Sequence, residues 1–220
     1  MNLEVIILAA GQGTRMKSAL PKVLHPVAGR PMLQHVVDTA RTLGPTAIHV
    51  VVGHGGDAVR DALAGQQLQW VVQEQQLGTG HAVLQALPAV DPKSQVLVLY
   101  GDVPLIEADT LRALVEQAEN TPALLTARVA DPAGYGRILR DDSGAMVGVV
   151  EQKDASPEQL QINEINSGVL AAPARDLNTY LPTVGNANSQ GEYYLPDILA
   201  MAVAEGRTVQ AQLAGSELEI

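Results

Sequence analysis

The sequence predicts an α/β fold in which a mainly parallel sheet is covered by helices on both faces. Three observations support this prediction. Apolar strand-like runs alternate with helical patterns, the connections between them are short, and 220 residues are enough to bury a substantial core. Strands that alternate with helices in this way are typical of parallel sheets, because each helix carries the chain back to start the next strand.

In the first half of the chain, four strand-like runs are separated by helical patterns. The strands are predicted at residues 3–9, 47–52, 69–73 and 95–100. The clearest helix has apolar residues at i, i+4 and i+8 spacing with neighbours on the same face: Met32, Leu33, Val36, Val37, Ala40 and Leu43. Shorter helices are predicted at residues 56–63 and 79–87.

The second half is less regular and predicts a smaller, mixed α+β lobe. After a helix at 110–119, strands are predicted at 123–129, 137–140, 146–150 and 168–172. Two further helices are predicted at 174–181 and 195–205. We expect this lobe to form the second wall of a cleft, because ligands of open α/β sheets bind beyond the carboxyl ends of the strands.

Composition and charge restrict the function classes. The formal net charge of −10 argues against a general nucleic-acid binder. With no cysteine, disulfides and cysteine-based zinc sites are excluded. The sequence shows no basic leader with a cleavage site and no apolar run long enough to span a membrane, so a cytoplasmic location is expected. The charge is reversed locally, since residues 12–30 contain no acidic residue but four cationic ones: Arg15, Lys17, Lys22 and Arg30.

The most informative segment is Leu-Ala-Ala-Gly-Gln-Gly-Thr-Arg-Met at residues 8–16, followed by Pro21 and Lys22. Glycines let backbone N–H groups approach a ligand closely, and successive N–H groups in such a turn form a concavity that binds anions. Arginine and lysine side chains supply further phosphate contacts. The segment predicts a polyphosphate cradle; the alternative is an ordinary glycine-rich turn with solvated cations.

Spacing separates this segment from two other phosphate-binding motifs. A dinucleotide fingerprint, G-x-G-x-x-G, needs a third glycine where this chain has Met16. The P-loop pattern G-x-x-x-x-G-K-[S/T] does not occur in the sequence. The pattern that is present resembles the signature of the sugar-phosphate nucleotidyltransferases, which join a nucleoside triphosphate to a sugar 1-phosphate.

A second cluster, Tyr-Gly-Asp-Val-Pro at residues 100–104, ends an apolar strand with Asp102. A carboxylate at that position is poorly solvated unless it faces a cleft or a cation. Mg²⁺ is a hard cation that prefers carboxylate and phosphate oxygens, so a magnesium ligand is one interpretation. The alternative is that Asp102 caps the following turn or helix.

The third cluster combines Gln73 with Leu-Gly-Thr-Gly-His-Ala at residues 77–82. The Gln73 amide offers a donor and an acceptor that match the edge of uracil. Gly78 and Thr79 open a helix and could present backbone N–H groups to a ligand. The alternative is a helix start capped by the threonine. His81 is assigned no role, because a histidine on a helix is more often structural.

Taken together, these blocks resemble the N-terminal uridyltransferase domain of the bacterial bifunctional N-acetylglucosamine-1-phosphate uridyltransferases/glucosamine-1-phosphate acetyltransferases. The resemblance runs from Val5 to about Arg207, and its motifs in order are LAAGQGTRM, LPKVLH, QLGTGHA, YGDVPL, GYGRI, EINSG and GEYY. It implies a Rossmann-like nucleotidyltransferase fold with a nucleotide-binding half at about 1–107 and a sugar-binding half at about 108–220. It also implies that UTP and N-acetylglucosamine 1-phosphate are the substrates, in the synthesis of cell-wall and lipopolysaccharide precursors.

The resemblance assigns roles residue by residue. Nucleotide contacts are expected from Leu8, Ala9, Ala10, Gly11, Gly13, Lys22, Gln73, Gly78 and Thr79. Catalytic roles are expected for Arg15, Lys22 and Asp102, with Mg²⁺ as cofactor held by Asp102. The sugar phosphate is expected to contact Tyr100, Gly101, Asp102, Gly136, Glu151 and Asn166.

The sequence departs from the family pattern in three places. The family has a second metal ligand, an asparagine, shortly after the segment that resembles residues 216–219, and this sequence ends at Ile220. The family continues into a left-handed β-helix acetyltransferase domain, whose hexapeptide repeats are not found here. Pro196 stands where the family often has threonine. We therefore expect a truncated form of a longer protein, without acetyltransferase activity.

Three alternatives stay open at this point. The enzyme could use another base or another sugar 1-phosphate, or the chain could be a nucleotide-binding module with little turnover. The resemblance implies a homotrimer for the full-length protein, with trimer formation associated with the β-helix. For this chain a monomer is one of the expected forms. No nucleic-acid or membrane partner is expected.

Overall fold

The structure, a computed structural model, describes residues 2–11, 13, 16–53 and 55–220, and everything below refers to these. The strands are β1 (Leu3–Ala9), β2 (Pro26–Val27), β3 (Arg30–Pro31), β4 (Ala47–Val52), β5 (Gln69–Val72), β6 (Gln95–Tyr100), β7 (Ala123–Arg128), β8 (Arg137–Arg140), β9 (Met146–Val150), β10 (Glu164–Pro173) and β11 (Gln210–Leu213). The helices are α1 (Met32–Arg41), α2 (Gly56–Ala62), α3 (Thr79–Ala86), α4 (Ala108–Gln117), α5 (Ala174–Tyr180) and α6 (Asp197–Ala204).

The central sheet has the strand order β11-β7-β10-β6-β1-β4-β5 and is mainly parallel. β1 pairs in parallel with both β4 and β6, and β4 pairs in parallel with β5. β10 is antiparallel to its neighbours β6 and β7, whereas β11 is parallel to β7. The predicted fold class is therefore confirmed. The sheet continues from the first half of the chain into the second through the β6–β10 pair, and the division at about residue 107 stays a prediction.

Alternation along the strands creates a core on each face of the sheet. Ile6 and Leu8 of β1 belong to one apolar cluster, which is covered by α3, α5 and α6. Val5 and Ile7 of the same strand belong to the other, which is covered by α1, α2 and α4. Successive side chains of a strand point to opposite faces, so a continuous apolar strand needs helices on both sides.

Most predicted elements agree with the structure, and the differences concern the length of one strand and three short strands that were not predicted. The predicted strand at 168–172 is the end of a longer strand, β10, which begins at Glu164 and has an irregularity between Asn166 and Leu170. Gly168 lies in that irregularity with φ +87°, which explains why no regular apolar pattern leads into it. β11 and the two-residue strands β2 and β3 were not predicted. β2 and β3 are too short to show a period, and β11, although its residues alternate, has only four residues.

The hairpin β8–β9 branches from the main sheet through the pair Ile165–Arg137. Gly136, just before β8, and Glu151, just after β9, lie together at the open end of this hairpin. Within the described residues, no helix is both long enough and apolar enough to cross a membrane.

Candidate functional site

A cavity of about 420 Å³ opens at the carboxyl ends of β1, β5 and β6. This is the edge where ligands of open parallel sheets bind. Its lining combines the glycine turn after β1, the start of α3 and the end of β6: Leu8, Ala9, Ala10, Gly11, Gly13, Met16, Lys22, Val23, Gln73, Gln76, Gly78, Thr79, Ala82, Tyr100, Asp102 and Glu192. The structure thus brings all nine residues predicted as nucleotide contacts to the lining of one cavity.

The turn after β1 needs glycine at Gly13. Its φ is +57°, and a Cβ placed there would lie 2.8 Å from the Cβ of Lys22. The close approach lets the Lys22 backbone pack directly against the turn and brings its ammonium group to the cavity. The predicted catalytic residue Arg15 lies outside the described residues, so its role stays a prediction.

Lys22 and Asp102 form an ion pair across this cavity, with 2.5 Å between Nζ and Oδ2. Lys22 belongs to a 3₁₀ turn, Lys22–Leu24, and Asp102 follows β6, so the pair joins two distant parts of the chain. The carboxylate does not cap the next helix, because α4 begins six residues later and has Glu107 at its N-cap. Asp102 therefore does not cap that helix, and the Lys22 ammonium is the partner of its carboxylate.

The first turn of α3 packs tightly against a second segment of the chain. Gly78 precedes the helix with φ +110°, and a Cβ there would lie 2.6 Å from the Tyr193 carbonyl oxygen. The Thr79 hydroxyl accepts a hydrogen bond from the Leu195 N–H at 3.0 Å, so it does not cap α3. Both residues are held by the segment at 192–195, and the capping alternative for Thr79 is wrong.

Gln73 follows β5 and is 97% buried, with only 3% of its surface exposed. Its amide nitrogen donates to the Gly78 carbonyl oxygen at 3.2 Å and lies 2.9 Å from Nδ1 of His81. Its backbone N–H donates to the Val52 carbonyl oxygen at 2.8 Å. This side chain is the most enclosed polar group in the cavity lining, and His81 contacts it although sequence analysis assigned that histidine no role.

Tyr100 lines the first cavity and lies near Glu151, which belongs to a second group of residues described below. Burial raises the pKa of its phenol above the ordinary value, and Glu151 and Asp102 raise it further, while the hydrogen bond with Thr79 opposes the shift. A Cβ placed on Gly168 would lie 2.6 Å from Cε2 of the Tyr100 ring. The phenol therefore stays neutral near pH 7 and rests directly on the backbone of β10.

Glu151, Asn166 and Gly136 form a second group of contacts, at the base of the β8–β9 hairpin. Asn166 hydrogen-bonds Glu151, and its backbone N–H donates to the Gly136 carbonyl oxygen at 2.9 Å. A Cβ on Gly136 would lie 2.9 Å from Oε1 of Glu151. Three of the six residues predicted to contact the sugar phosphate thus lie next to one another, and of these three Glu151 lines a cavity.

Glu151 also lines a second cavity, of about 370 Å³, with acidic neighbours. Burial raises the pKa of its carboxyl, and Asp197, Asp154 and Glu192 raise it further, against the hydrogen bond from Asn166. In the same cavity burial raises the pKa of Asp197 to about 6, with Asp154 as a second cause. Glu192 lines the first cavity, so its charge acts on both regions.

Sequence reasoning and structure differ at several residues. Gly101 does not line either cavity; its N–H donates to the Leu8 carbonyl oxygen, and it packs beneath the turn against Val23 and Leu33. Gln76, Glu192 and Asp197 line the cavities but were not assigned to the site. The motif GEYY contains Glu192, and this was the only signal that could have identified it; nothing in the sequence singles out Asp197.

Comparison with known proteins gives a consistent result. The MobA-like NTP transferase domain family matches residues 5–159. The protein named "Bifunctional protein GlmU" from Pseudomonas paraeruginosa is 57% identical over 223 residues, covering 100% of this chain and 48% of its own length. Its namesakes from Azotobacter vinelandii and Paraburkholderia phytofirmans are each 58% identical, over 100% and 94% of this chain and 48% and 46% of their own lengths. The chain spans about half the length of the curated relatives it matches.

Proposed function

Because the chain belongs to the MobA-like NTP transferase domain family, we propose that it transfers the uridylyl group of UTP to N-acetylglucosamine 1-phosphate. The products are UDP-N-acetylglucosamine and pyrophosphate. The relatives that are 57–58% identical over the chain carry the name "Bifunctional protein GlmU", which supports the narrower assignment within the family. The proposal places the reaction in the cytoplasm, where its donor UTP is available.

The observation that supports the proposal most directly is the composition of the first cavity. It combines a glycine turn, a lysine–aspartate pair and a buried amide at one edge of a parallel sheet. The turn and Lys22 suit phosphates, since backbone N–H groups and an ammonium both bind phosphate oxygens. The Gln73 amide suits the polar edge of a base, and the second group, around Glu151, suits sugar hydroxyls and the acetamido group.

The carboxylate of Asp102 is a suitable ligand for a divalent cation. Among the described residues no three metal-binding side chains lie together, so a bound ion would take most of its ligands from elsewhere. Mg²⁺ is commonly held by one or two carboxylates and by substrate phosphates, and Asp102 offers a carboxylate that already neutralises a cationic group in the cavity. When bound, Mg²⁺ would neutralise phosphate charge and polarise the phosphoryl oxygens.

The chemistry we propose is an in-line displacement. A phosphate oxygen of N-acetylglucosamine 1-phosphate forms a bond to the α-phosphorus of UTP, and the bond from that phosphorus to the bridging oxygen of the pyrophosphate breaks. The nucleophile is already an anion, so no general base is required. Positioning and charge neutralisation then supply most of the rate, with Lys22, and Arg15 by family resemblance, stabilising charge on the departing pyrophosphate.

The experiment that tests this proposal measures pyrophosphate release by the purified chain with Mg²⁺. Each of UTP, CTP, ATP, GTP and dTTP is paired with N-acetylglucosamine 1-phosphate, glucose 1-phosphate and glucosamine 1-phosphate. We expect release to be fastest with UTP and N-acetylglucosamine 1-phosphate. Faster release with another pair would assign another base or sugar, and UTP binding by calorimetry without release would indicate a nucleotide-binding module.

A further inference from the structure

We infer that His81 is a positioning residue for nucleotide recognition: it turns the amide of Gln73 so that the amide oxygen faces the ring N–H of uracil. This inference rests on the proposed function, because it assumes that Gln73 meets the base of UTP. It adds a determinant of base choice that lies outside the direct contacts.

The orientation of the Gln73 amide follows from a neighbour that can only accept hydrogen bonds. The amide nitrogen lies 3.2 Å from the Gly78 carbonyl oxygen. That oxygen also accepts the helical hydrogen bond from the Ala82 N–H at 3.1 Å. A carbonyl oxygen facing it from Gln73 would place two acceptors against each other, so the NH₂ end must point towards Gly78.

His81 takes the second hydrogen of the same NH₂ group. Its Nδ1 lies 2.9 Å from the Gln73 nitrogen, which is shorter than the contact to Gly78. Because the amide nitrogen has no lone pair to offer, Nδ1 must be the acceptor, and the ring proton is then on Nε2. Nε2 lies 3.3 Å from the amide of Gln85, and the oxygen of that amide must face Nε2 to accept this proton. The histidine is therefore held as one tautomer, and the amide is held at both of its hydrogens.

This arrangement leaves the amide oxygen for the ligand. None of the described residues donates a hydrogen bond to Oε1 of Gln73, and Gln73 lines the cavity. An acceptor at the cavity wall that no protein group uses can bind an N–H of a ligand. The cavity is therefore prepared for a base with a donor at that point.

The imidazole lies beside the segment at 192–195, which packs against the start of α3. The rings of His81 and Tyr193 lie 6.4 Å apart, centroid to centroid, with a 34° angle between their planes. Tyr193 is fixed at both backbone groups: its N–H donates to the Leu77 carbonyl oxygen, and its carbonyl oxygen accepts from the Gly80 N–H, each at 2.8 Å. His81 thus lies between this segment and the amide of Gln73.

Uracil and cytosine differ at the atom that this amide would read. Ring nitrogen 3 carries a hydrogen in uracil and a lone pair in cytosine, so an amide oxygen attracts the first and repels the second. A freely turning amide would present its NH₂ group to cytosine and lose the discrimination. Holding the amide by His81 and Gly78 therefore favours UTP over CTP.

The first test uses the unmodified protein, so it does not depend on how a variant folds. Calorimetry with Mg²⁺ compares the binding of UTP, CTP and 3-methyl-UTP, whose methyl group replaces the ring hydrogen. We expect 3-methyl-UTP and CTP each to bind at least about tenfold more weakly than UTP. Equal binding of UTP and 3-methyl-UTP would overturn the inference, while continued pyrophosphate release from UTP would leave the proposed function standing.

The second test compares His81→Leu with His81→Asn, whose amide oxygen can replace Nδ1 as acceptor. We expect His81→Leu to lower the UTP/CTP preference about tenfold, mainly through KM, with kcat little changed, and His81→Asn to restore most of it. An unchanged preference in His81→Leu would overturn the inference. If the unmodified protein binds no UTP, the proposed function fails and the inference fails with it.

Discussion

The two ends of the site are built from different chemical groups. At the proposed nucleotide end, the cavity is lined by the glycine turn, the buried amide of Gln73 and one ion pair, all at the edge of parallel strands. At the proposed sugar end, the second cavity contains three carboxylates, those of Glu151, Asp154 and Asp197, beside the β8–β9 hairpin. We therefore propose that ligand selectivity depends on shape and hydrogen-bond direction at the first end and on protonation at the second.

The two ends differ because their carboxylates have different charged neighbours. Asp102 has the Lys22 ammonium beside it, so its negative charge is neutralised within the cavity. Glu151 and Asp197 have other carboxylates as their charged neighbours, and burial and repulsion both raise their pKa values. Under the proposed function, the polyphosphate would meet the Lys22–Asp102 pair, with Glu192 as a further carboxylate of that cavity. The sugar would meet groups that exchange protons as the pH changes.

The largest expected effect is at the paired carboxylate. Asp102→Asn keeps the shape but removes the charge that we propose positions Mg²⁺, so kcat should fall by about a thousandfold while the fold is retained. Pyrophosphate release and circular dichroism measure the two properties. Asp109→Asn is the control, because Asp109 is 92% exposed on α4. Near-normal turnover in Asp102→Asn would contradict the metal assignment.

The nucleotide end could be predicted from the sequence more fully than the sugar end. The turn after β1 is a contiguous motif, and its strand and the strand before Asp102 lie at the predicted bounds. Short contiguous motifs are enough to predict this end, because the carboxyl ends of neighbouring parallel strands meet at one edge of the sheet. Spacing along the chain then determines position in space.

The features that sequence could not supply depend on contacts between distant residues. The hydrogen bond between Gln73 and His81 requires the start of α3 to turn back over β5, which no local pattern encodes. Asp197 enters the second cavity from a helix whose sequence is otherwise apolar, so its burial is known only once α6 packs against β9. Local patterns identify elements, but they do not identify which polar groups face each other.

A second prediction tests whether the sugar end depends on the position of Tyr100. Gly168 and Gly144 have nearly the same φ, +87° and +85°, but only Gly168 is crowded, by the Tyr100 ring. Gly144→Ala should lower the free energy of unfolding by about 1 kcal/mol through backbone strain alone. Gly168→Ala should lower it by about 3 kcal/mol, because the ring must also move.

Denaturant unfolding of the two glycine variants measures this difference, and steady-state kinetics adds its functional consequence. Displacement of the ring should raise the KM for the sugar phosphate in Gly168→Ala more than the KM for UTP. Equal loss of stability in both variants would show that the Tyr100 ring can move without lowering the free energy of unfolding. The contact between Gly168 and the ring would then not contribute to stability.

A third prediction asks whether the two ends act independently. Glu151→Gln keeps a hydrogen-bonding side chain beside Asn166 but removes the acidic group. We expect kcat/KM for N-acetylglucosamine 1-phosphate to fall about tenfold, the effect of one charge-assisted hydrogen bond, with KM for UTP unchanged. Isothermal binding of UTP to the variant provides the control. A parallel loss of UTP affinity would show that Glu151 serves both substrates.

The smallest expected effect is on stability, and it comes from Asp197. Its pKa in the folded protein is about 6, above the ordinary value of 3.8, so the folded state retains the proton longer than the unfolded state does. Stability from this group is therefore complete below about pH 4 and is lost as the pH rises to about 6. Asp197→Asn has no charge to bury, so the loss of stability at high pH does not occur in this variant. We expect its free energy of unfolding to be higher by about 1 kcal/mol at pH 8, a value reduced from the full pKa shift because solvent screens a half-buried group.

Relative to the unmodified protein, the gain from Asp197→Asn should disappear near pH 4. Urea unfolding of both proteins between pH 4 and 8 measures it, with the exposed Asp142→Asn as a control for which a pH-independent difference is expected. A gain of equal size at pH 4 and pH 8 would mean that the asparagine side chain packs better than the aspartate for reasons unrelated to charge. The contrast between Asp102, whose charge is paired with Lys22, and Asp197, whose charged neighbour is another carboxylate, would then lose this support.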